Sequence, residues 1–338
     1  MTGRLPPGYN VIQRLGAGRT ALVWLAEEEA TGRRVALKIP RPELATDAVL
    51  RRMFENEVQI TLKLDHPNVV RAYSGRTTGD EAFLALEYCA GGTLDQLLLE
   101  RGRLPLDKAI GLVLDVANGL AHTHAAKVLH RDVKPANVFV DGEGRAKLGD
   151  FGTGTFKGDD AEERVGTAFY MAPEVFEGRP TSLRSDVYSL GVLAYEVLTG
   201  ERPFVGGSYE ALMVAHLHSL PRELRQVRSE IPTKVAQVVS RALSRDPSRR
   251  YPDAGAFVEA YREAMGLSSA DEPAAAPPRP TLGRGGVRRP TPVERPTPPR
   301  EDARPAGRGE GPAPEPAGAG GTRRRSRRAW WWPFRRRG

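Results

Sequence analysis

The run His130-Arg131-Asp132-Val133-Lys134-Pro135-Ala136-Asn137-Val138-Phe139 places a carboxylate, an ammonium and a carboxamide close together in the chain. Such groups, at this spacing, meet the needs of phosphoryl transfer: a proton acceptor, a positive charge for a phosphate and an oxygen ligand for a hard cation. Asp150-Phe151-Gly152 follows thirteen residues after Asn137 and adds a second candidate cation ligand. Either motif alone is a moderate signal, and the pair is strong.

These groups must be held by elements that the rest of the chain supplies. Leu15-Gly16-Ala17-Gly18-Arg19-Thr20-Ala21-Leu22-Val23 reads as a glycine-rich hairpin, where missing side chains let backbone N–H groups approach phosphates. It precedes Val35-Ala36-Leu37-Lys38, a short alternating strand that ends in a lysine. A dinucleotide-binding fingerprint would open a helix, whereas this loop joins two strands. Phe54-Glu55-Asn56-Glu57-Val58 leads to Leu62, Leu64 and His66-Pro67-Asn68, and Phe83 to Gly92 is an apolar strand breaking into a turn. Further on, Asp186 to Val192 starts an apolar helix that ends before Gly200, and amphipathic helices are expected over 108–124 and 231–243.

In this order the motifs resemble those of eukaryotic-type serine/threonine protein kinases, with bacterial members the most similar. The resemblance implies an α+β, two-lobed fold over residues 9–266, with a small β-rich lobe (about 9–86) and a larger helical lobe (about 90–266). It implies transfer of the ATP γ-phosphate to serine or threonine, with autophosphorylation and a signalling role. Asp132 would then accept the proton of the attacking hydroxyl and Lys134 would face the transferring phosphate. Asn137 and Asp150 would hold magnesium, or manganese in its place. Lys38 would bridge the α- and β-phosphates and be positioned by Glu57, with Glu55 the alternative. Leu15, Gly16, Gly18, Val23, Ala36 and Phe139 would surround the nucleotide, and the backbone at Glu87 and Cys89 would pair with adenine. Thr167 would bond toward Asp132 and Lys134 as a substrate floor, Asp186 would cap the catalytic-loop backbone, and Arg250 would pair with Glu174 of Ala172-Pro173-Glu174.

Several positions depart from the family pattern. Its third glycine is Ala21 here and the loop-tip aromatic is Thr20, which predicts a stiffer lid. Thr61, with Ala72 beyond it, replaces an apolar residue behind the cleft, so the active arrangement is expected to be less self-supporting. Lys134 with Gly166-Thr167 points to serine/threonine rather than tyrosine acceptors. Members that read upstream arginines use glutamates where this chain has Thr93 and Ala136, which argues against a strict arginine-directed consensus.

Arg131 before Asp132 marks kinases whose arginine meets a phosphorylated activation segment. Yet residues 156–166 contain no serine, threonine or tyrosine, and carry Asp159, Asp160, Glu162 and Glu163 instead. One of these acids standing in for the phosphate is one expectation, and a merely solvated acidic loop is the other. Thr153, Thr155 and Thr167 are the candidate phosphosites in this region.

Composition shifts near Ser268. Residues 268–338 hold 16 arginines and 7 acids, a net of +9 against +8 for the whole chain, so the preceding part is near −1. The high basicity therefore describes the tail and not the lobes. A disordered Pro/Ala/Gly/Arg-rich linker is expected over 267–322. Arg-Pro-Thr recurs at Thr281, Thr291 and Thr297, which become candidate phosphosites for a phosphothreonine-binding module. Residues 323–338 bracket three of the four tryptophans with eight arginines, a pattern suited to an anionic membrane surface. Single-stranded nucleic acid is the weaker reading of that terminus, and a solvated tail without a partner the plain one. Residues 1–7 lack an apolar signal core, and no run is long enough to span a bilayer. A cytoplasmic protein, peripheral at the inner face of a membrane, is expected. The single cysteine, Cys89, allows no internal disulfide and fits a reducing compartment. Protein substrates are implied, and oligomeric state leaves no signature. The alternative functions are a pseudokinase scaffold and a kinase acting chiefly through its tail, although Lys38, Glu57, Asp132, Asn137 and Asp150 are all present.

Overall fold

Residues alternate in and out along Arg33–Pro40 (β3), so Val35, Leu37 and Ile39 are buried on one face while Ala36 and Lys38 share the other. A computed structural model describes residues 5–18, 20–42, 47–77, 79, 81–151 and 161–267, with backbone alone for 161–164. β3 lies in a five-stranded antiparallel sheet with Tyr9–Ala17 (β1), Ala21–Glu28 (β2), Ala72–Arg76 (β4) and Phe83–Glu87 (β5), in the order β1-β2-β3-β5-β4. Val35, Leu37 and Ala85 pack on one side of it. On the other side, Leu84 and Leu86 meet Phe54 and Val58 of helix α1, Ala48–Thr61.

Asp47 starts α1 by accepting hydrogen bonds from the Val49 and Leu50 N–H groups. The buried stripe of this helix is Met53, Phe54, Glu57, Val58 and Thr61, so a carboxylate sits where an apolar residue is the norm. Burial at that position requires a cation beside it. Thr61 turns its hydroxyl back onto the Glu57 carbonyl, 2.7 Å away, which satisfies the polar group the sequence places behind the cleft.

The second lobe is built on helices Leu94–Arg101 (α2), Leu106–Ala125 (α3), Ala161–Ala168 (α4), Pro173–Phe176 (α5) and Leu183–Thr199 (α6). Tyr209–His218 (α7), Leu224–Val227 (α8), Thr233–Ala242 (α9) and Ala254–Ala264 (α10) follow. α6 is buried along most of its length and forms the lobe's axis. It begins at Leu183 and not at Asp186, because Ser182 and Ser185 form a capping box that extends it by three residues. It ends at Gly200, whose φ of +80° an L side chain would resist. α9 starts at Thr233, two residues later than the pattern predicts, because Pro232 takes the N-cap position and a residue before proline disfavours the helical conformation.

A two-stranded ribbon, Val138–Val140 (β6) and Ala146–Leu148 (β7), pairs Val138 with Leu148. The residues just outside this pair, Asn137 and Gly149, are joined by a 2.9 Å backbone bond, which brings Asp150 to the catalytic-loop candidates. Several residues singled out in the sequence lie outside the described residues: Arg19, Gly152, Thr153, Thr155, Asp159, Asp160, the side chains of Glu162 and Glu163, and everything from 268 to 338, including Thr281, Thr291 and Thr297. Among the described residues, no helix is long and apolar enough to cross a membrane.

Candidate active site

The Asp132 carboxylate is held by its own loop. Asn137 donates Nδ2 to the Asp132 carbonyl at 2.8 Å and to Oδ2 at 2.9 Å, and Lys134 Nζ also lies 2.9 Å from Oδ2. The two amide bonds orient Asn137 so that Oδ1 is the atom it can offer to a cation. Lys134 Nζ makes a further 2.9 Å bond to Thr167 Oγ1, bridging the loop to α4. The sequence placed Thr167 on a floor without predicting that it would stand in a helix.

Arg131 has a positive φ of 67°, costly for a residue with a side chain. Asp186 of α6 holds this turn: Oδ1 accepts the Arg131 N–H at 2.8 Å and Oδ2 the His130 N–H at 2.9 Å. His124 completes the arrangement. Its Nδ1 accepts the Ala254 N–H at 3.1 Å, so Nε2 carries the proton and donates to Asp186 Oδ2, also at 3.1 Å. His130 follows the same logic, with Nδ1 accepting from Asp132 N–H and Nε2 donating to the Gly149 carbonyl at 3.0 Å. Its ring tilts against Phe151 at 5.0 Å, which tethers the residue after Asp150.

Across the cleft, Lys38 is ion-paired with Glu57 and lies 2.7 Å from Asp150 Oδ1. Glu57 is buried and Glu55 is not, so tertiary packing chooses between the two candidates. Burial opposes the Lys38 charge, but Asp150 and Glu57 more than restore it and hold the ammonium above its ordinary range. Asp150 is held low despite burial, chiefly by Lys38. Asp150, like Arg131, has a positive φ, 66°.

Around the expected nucleotide position, the Gly18 N–H donates to the Ala21 carbonyl at 2.7 Å, closing the hairpin. Val23 pairs with Gly16 on one side and Lys38 on the other, and Leu15 is buried. Ala21 is buried with Phe54, so the methyl that replaces the family's glycine fills core. Ala36, Phe139, Leu86 and Cys89 share one apolar cluster. The Glu87 N–H is committed to the Arg71 carbonyl at 2.8 Å, so its carbonyl is the backbone group it could turn to a base. Burial, then the Glu87 charge, push the Cys89 thiol up to about 12, which makes it inert as a nucleophile.

Arg250 and Glu174 meet deep in the large lobe through two parallel 2.8 Å bonds. Three groups escaped sequence reading: His124; Lys147, 3.1 Å from Glu87 Oε1; and Glu196, which is bonded by Tyr170. Glu196 carried a signal, being a charge inside the apolar run from Leu190 to Leu198.

The metal question turns on donor type. Among the described residues, no group of three His, Cys, Asp or Glu side chains gathers to hold an ion alone. Asp150 and the Asn137 amide offer hard oxygens, which fits a cation that completes its shell with phosphate and water.

Two lobes, a sheet lobe that holds a buried lysine–glutamate pair and a helical lobe that turns two candidate oxygen ligands toward it, define a protein kinase. The model of the protein kinase domain matches residues 9–261, and the chain belongs to that family. It is 35% identical over 254 residues to the serine/threonine-protein kinase PknA of Corynebacterium glutamicum, covering 72% of this chain and 54% of that protein. It is 32% identical to PrkC of Bacillus subtilis, covering 74% and 39%, and 34% identical to PknL of Mycobacterium tuberculosis, covering 79% and 68%. The chain thus spans about half the length of the curated relatives it matches. The crystal structure of a point mutant of the Mycobacterium tuberculosis PknI kinase domain matches 79% of this chain and 99% of its own, with a TM-score of 0.59 and 28% identity. Members of this family use ATP and a divalent metal.

Proposed function

We propose that this protein transfers the γ-phosphate of ATP to serine or threonine hydroxyls of proteins, itself included. The observation that carries the reading is the cluster in which Lys134 touches both Asp132 and Thr167 while Asn137 donates to the same Asp132 oxygen, Oδ2. Asp132 is placed to take the proton of an incoming hydroxyl, and Lys134 to neutralise the phosphoryl oxygens in flight. Lys38, held charged by Asp150 and Glu57, is the clamp for the α- and β-phosphates. Asn137 and Asp150 would hold magnesium, which supplies charge neutralisation to the phosphates when bound. The pseudokinase alternative is disfavoured because each of these groups is present and the described site brings them together.

The test is incubation of the purified chain with Mg-ATP beside Asp132→Asn, read by intact mass and phosphosite mapping. Mass gained only by the unsubstituted protein supports transfer. No gain, together with no labelling of a generic basic protein, overturns it.

The finer assignments rest on sequence. We infer that one of Asp159, Asp160, Glu162 and Glu163 stands in for an activation-segment phosphate, so phosphatase treatment should leave activity intact while neutralising all four acids abolishes it. For the Arg/Trp terminus the favoured partner is an anionic membrane surface. Liposome sedimentation with and without residues 323–338 tests it, and equal binding to anionic vesicles sinks it. Phosphorylation mapped to Thr281, Thr291 or Thr297 would favour a phosphothreonine-binding partner for the tail.

A further inference from the structure

α6 is an apolar helix, yet near its end it carries Glu196, whose side chain is only 12% exposed. Tyr170 donates its hydroxyl to Glu196 Oε2, and Arg202 donates Nε to Oε1 at 3.0 Å. The Arg202 guanidinium lies against the same segment, its central carbon 4.1 Å from the Phe169 ring centroid. Burial, then the adjoining Glu196 charge, hold the Tyr170 phenol well above its usual range, so it stays a donor. Phe169 and Tyr170 follow within three residues of Thr167, the residue Lys134 joins to Asp132. The carboxylate is therefore buried beside the floor on which an acceptor peptide must lie.

A carboxylate in that position attracts guanidinium groups, and it can accept two parallel bonds from one. An arginine already stacked on Phe169 reaches it without the loss of translational freedom that a peptide arginine suffers on binding, so the internal residue wins at ordinary substrate concentrations. No carboxylate stands at Thr93 or Ala136 to compensate, and the Thr93 hydroxyl is spent accepting the Gln96 N–H to cap α2. Asp95 on α2 is the other acid whose charge reaches Tyr170. We propose that Arg202 determines substrate specificity: by filling Glu196 it prevents the enzyme from selecting arginine near the acceptor hydroxyl. The inference rests on the kinase reading above and adds a substrate class to it.

The experiment uses the full chain and peptides with one serine, in which arginine or alanine is scanned through the flanking positions. The unsubstituted enzyme should show kcat/KM ratios near one for arginine over alanine. Arg202→Ala should raise the ratio at one or two positions roughly ten- to hundredfold, the range of a charge-assisted hydrogen bond, through KM and not kcat. Arg202→Lys, which keeps the charge, should leave the ratio low, and Glu196→Gln in the Arg202→Ala background should remove the gain. A strong arginine preference in the unsubstituted enzyme, or a folded Arg202→Ala variant with unmoved ratios, overturns the assignment. Binding of labelled peptides by anisotropy separates the two readings. Arginine-selective binding by Arg202→Ala without any phosphate transfer sinks catalysis and keeps the role of Arg202, whereas transfer with unselective binding does the reverse.

Discussion

Arg250 and Glu174, 76 residues apart in sequence, form a two-pronged ion pair in which the guanidinium is fully buried and the carboxylate 5% exposed. The other guanidinium donors are also satisfied: Nε bonds the Ser244 carbonyl at 2.7 Å, and Nη1 and Nη2 reach the Arg184 and Arg245 carbonyls. Glu174 Oε1 takes a further bond from Ser185 Oγ at 2.8 Å. One pair thus joins the end of the activation segment, the start of α6 and the loop before α10.

Removing one partner strands the other charge away from water. Glu174→Ala should cost about 3–5 kcal/mol and lower Tm by roughly 10 °C, with a loss of soluble yield. Thermal unfolding checks it, and an unchanged Tm would count against a structural role.

Lys134 contacts both the proposed base and the floor, so its loss should act on the chemical step more than on nucleotide binding. Lys134→Met is expected to lower kcat about a hundredfold or more while KM for ATP changes little. Steady-state kinetics with a peptide substrate gives both constants.

Asp186 holds Arg131 in a left-handed conformation with acceptors that asparagine only half supplies. In Asp186→Asn one oxygen becomes an NH2 facing N–H donors, a clash worth about 1–3 kcal/mol. Activity should fall at least tenfold in a chain that still melts cooperatively, a combination visible by comparing turnover with circular dichroism.

His216 sits among Phe176, Tyr188 and Phe204, where burial depresses its pKa to about 4. His66, stacked on His122, is lowered to about 4 by burial and then by His122 and Lys147. The unfolded chain takes up protons near 6.5 while the native state resists them. The stabilisation is therefore complete above that value and drains away as pH falls from about 6.5 toward 4. Tm should drop across this window, and less steeply in a folded His216→Gln variant; parallel slopes for the two proteins would refute the contribution of His216.

Gly119 of α3 has no room for a side chain, since a Cβ there would lie 2.3 Å from the Asn68 carbonyl oxygen. That oxygen also accepts the Leu148 N–H at 2.8 Å, on the strand leading to Asp150. Gly119→Ala should cost about 1–3 kcal/mol and disturb metal-dependent activity, whereas Gly111→Ala on the same helix, where nothing stands within 4 Å, should not destabilise. Denaturant titration of the two variants decides it.

Local sequence was enough wherever function needs residues near one another in the chain. Asp132, Lys134 and Asn137 sit in one loop, and Gly16 and Gly18 in one hairpin, because such turns are encoded by neighbours. Helix limits were less legible. The Ser182–Ser185 capping box moved the start of α6, and the helical form of 161–168 runs through a segment with weak apolar periodicity.

Read as a string, the chain specifies the inventory of chemical groups, their order, and the family to which they belong. Resemblance favoured Glu57 over Glu55, and packing supplies the physical reason, since the pairing depends on which face of α1 turns toward Lys38. Packing alone brought His124 to Asp186, Lys147 to Glu87 and Arg202 to Glu196, pairings that local periodicity does not encode. The cause is the same in each case. A buried charge or polar group must find a partner, but which partner it finds is set by the packing of whole elements and not by neighbours in the chain.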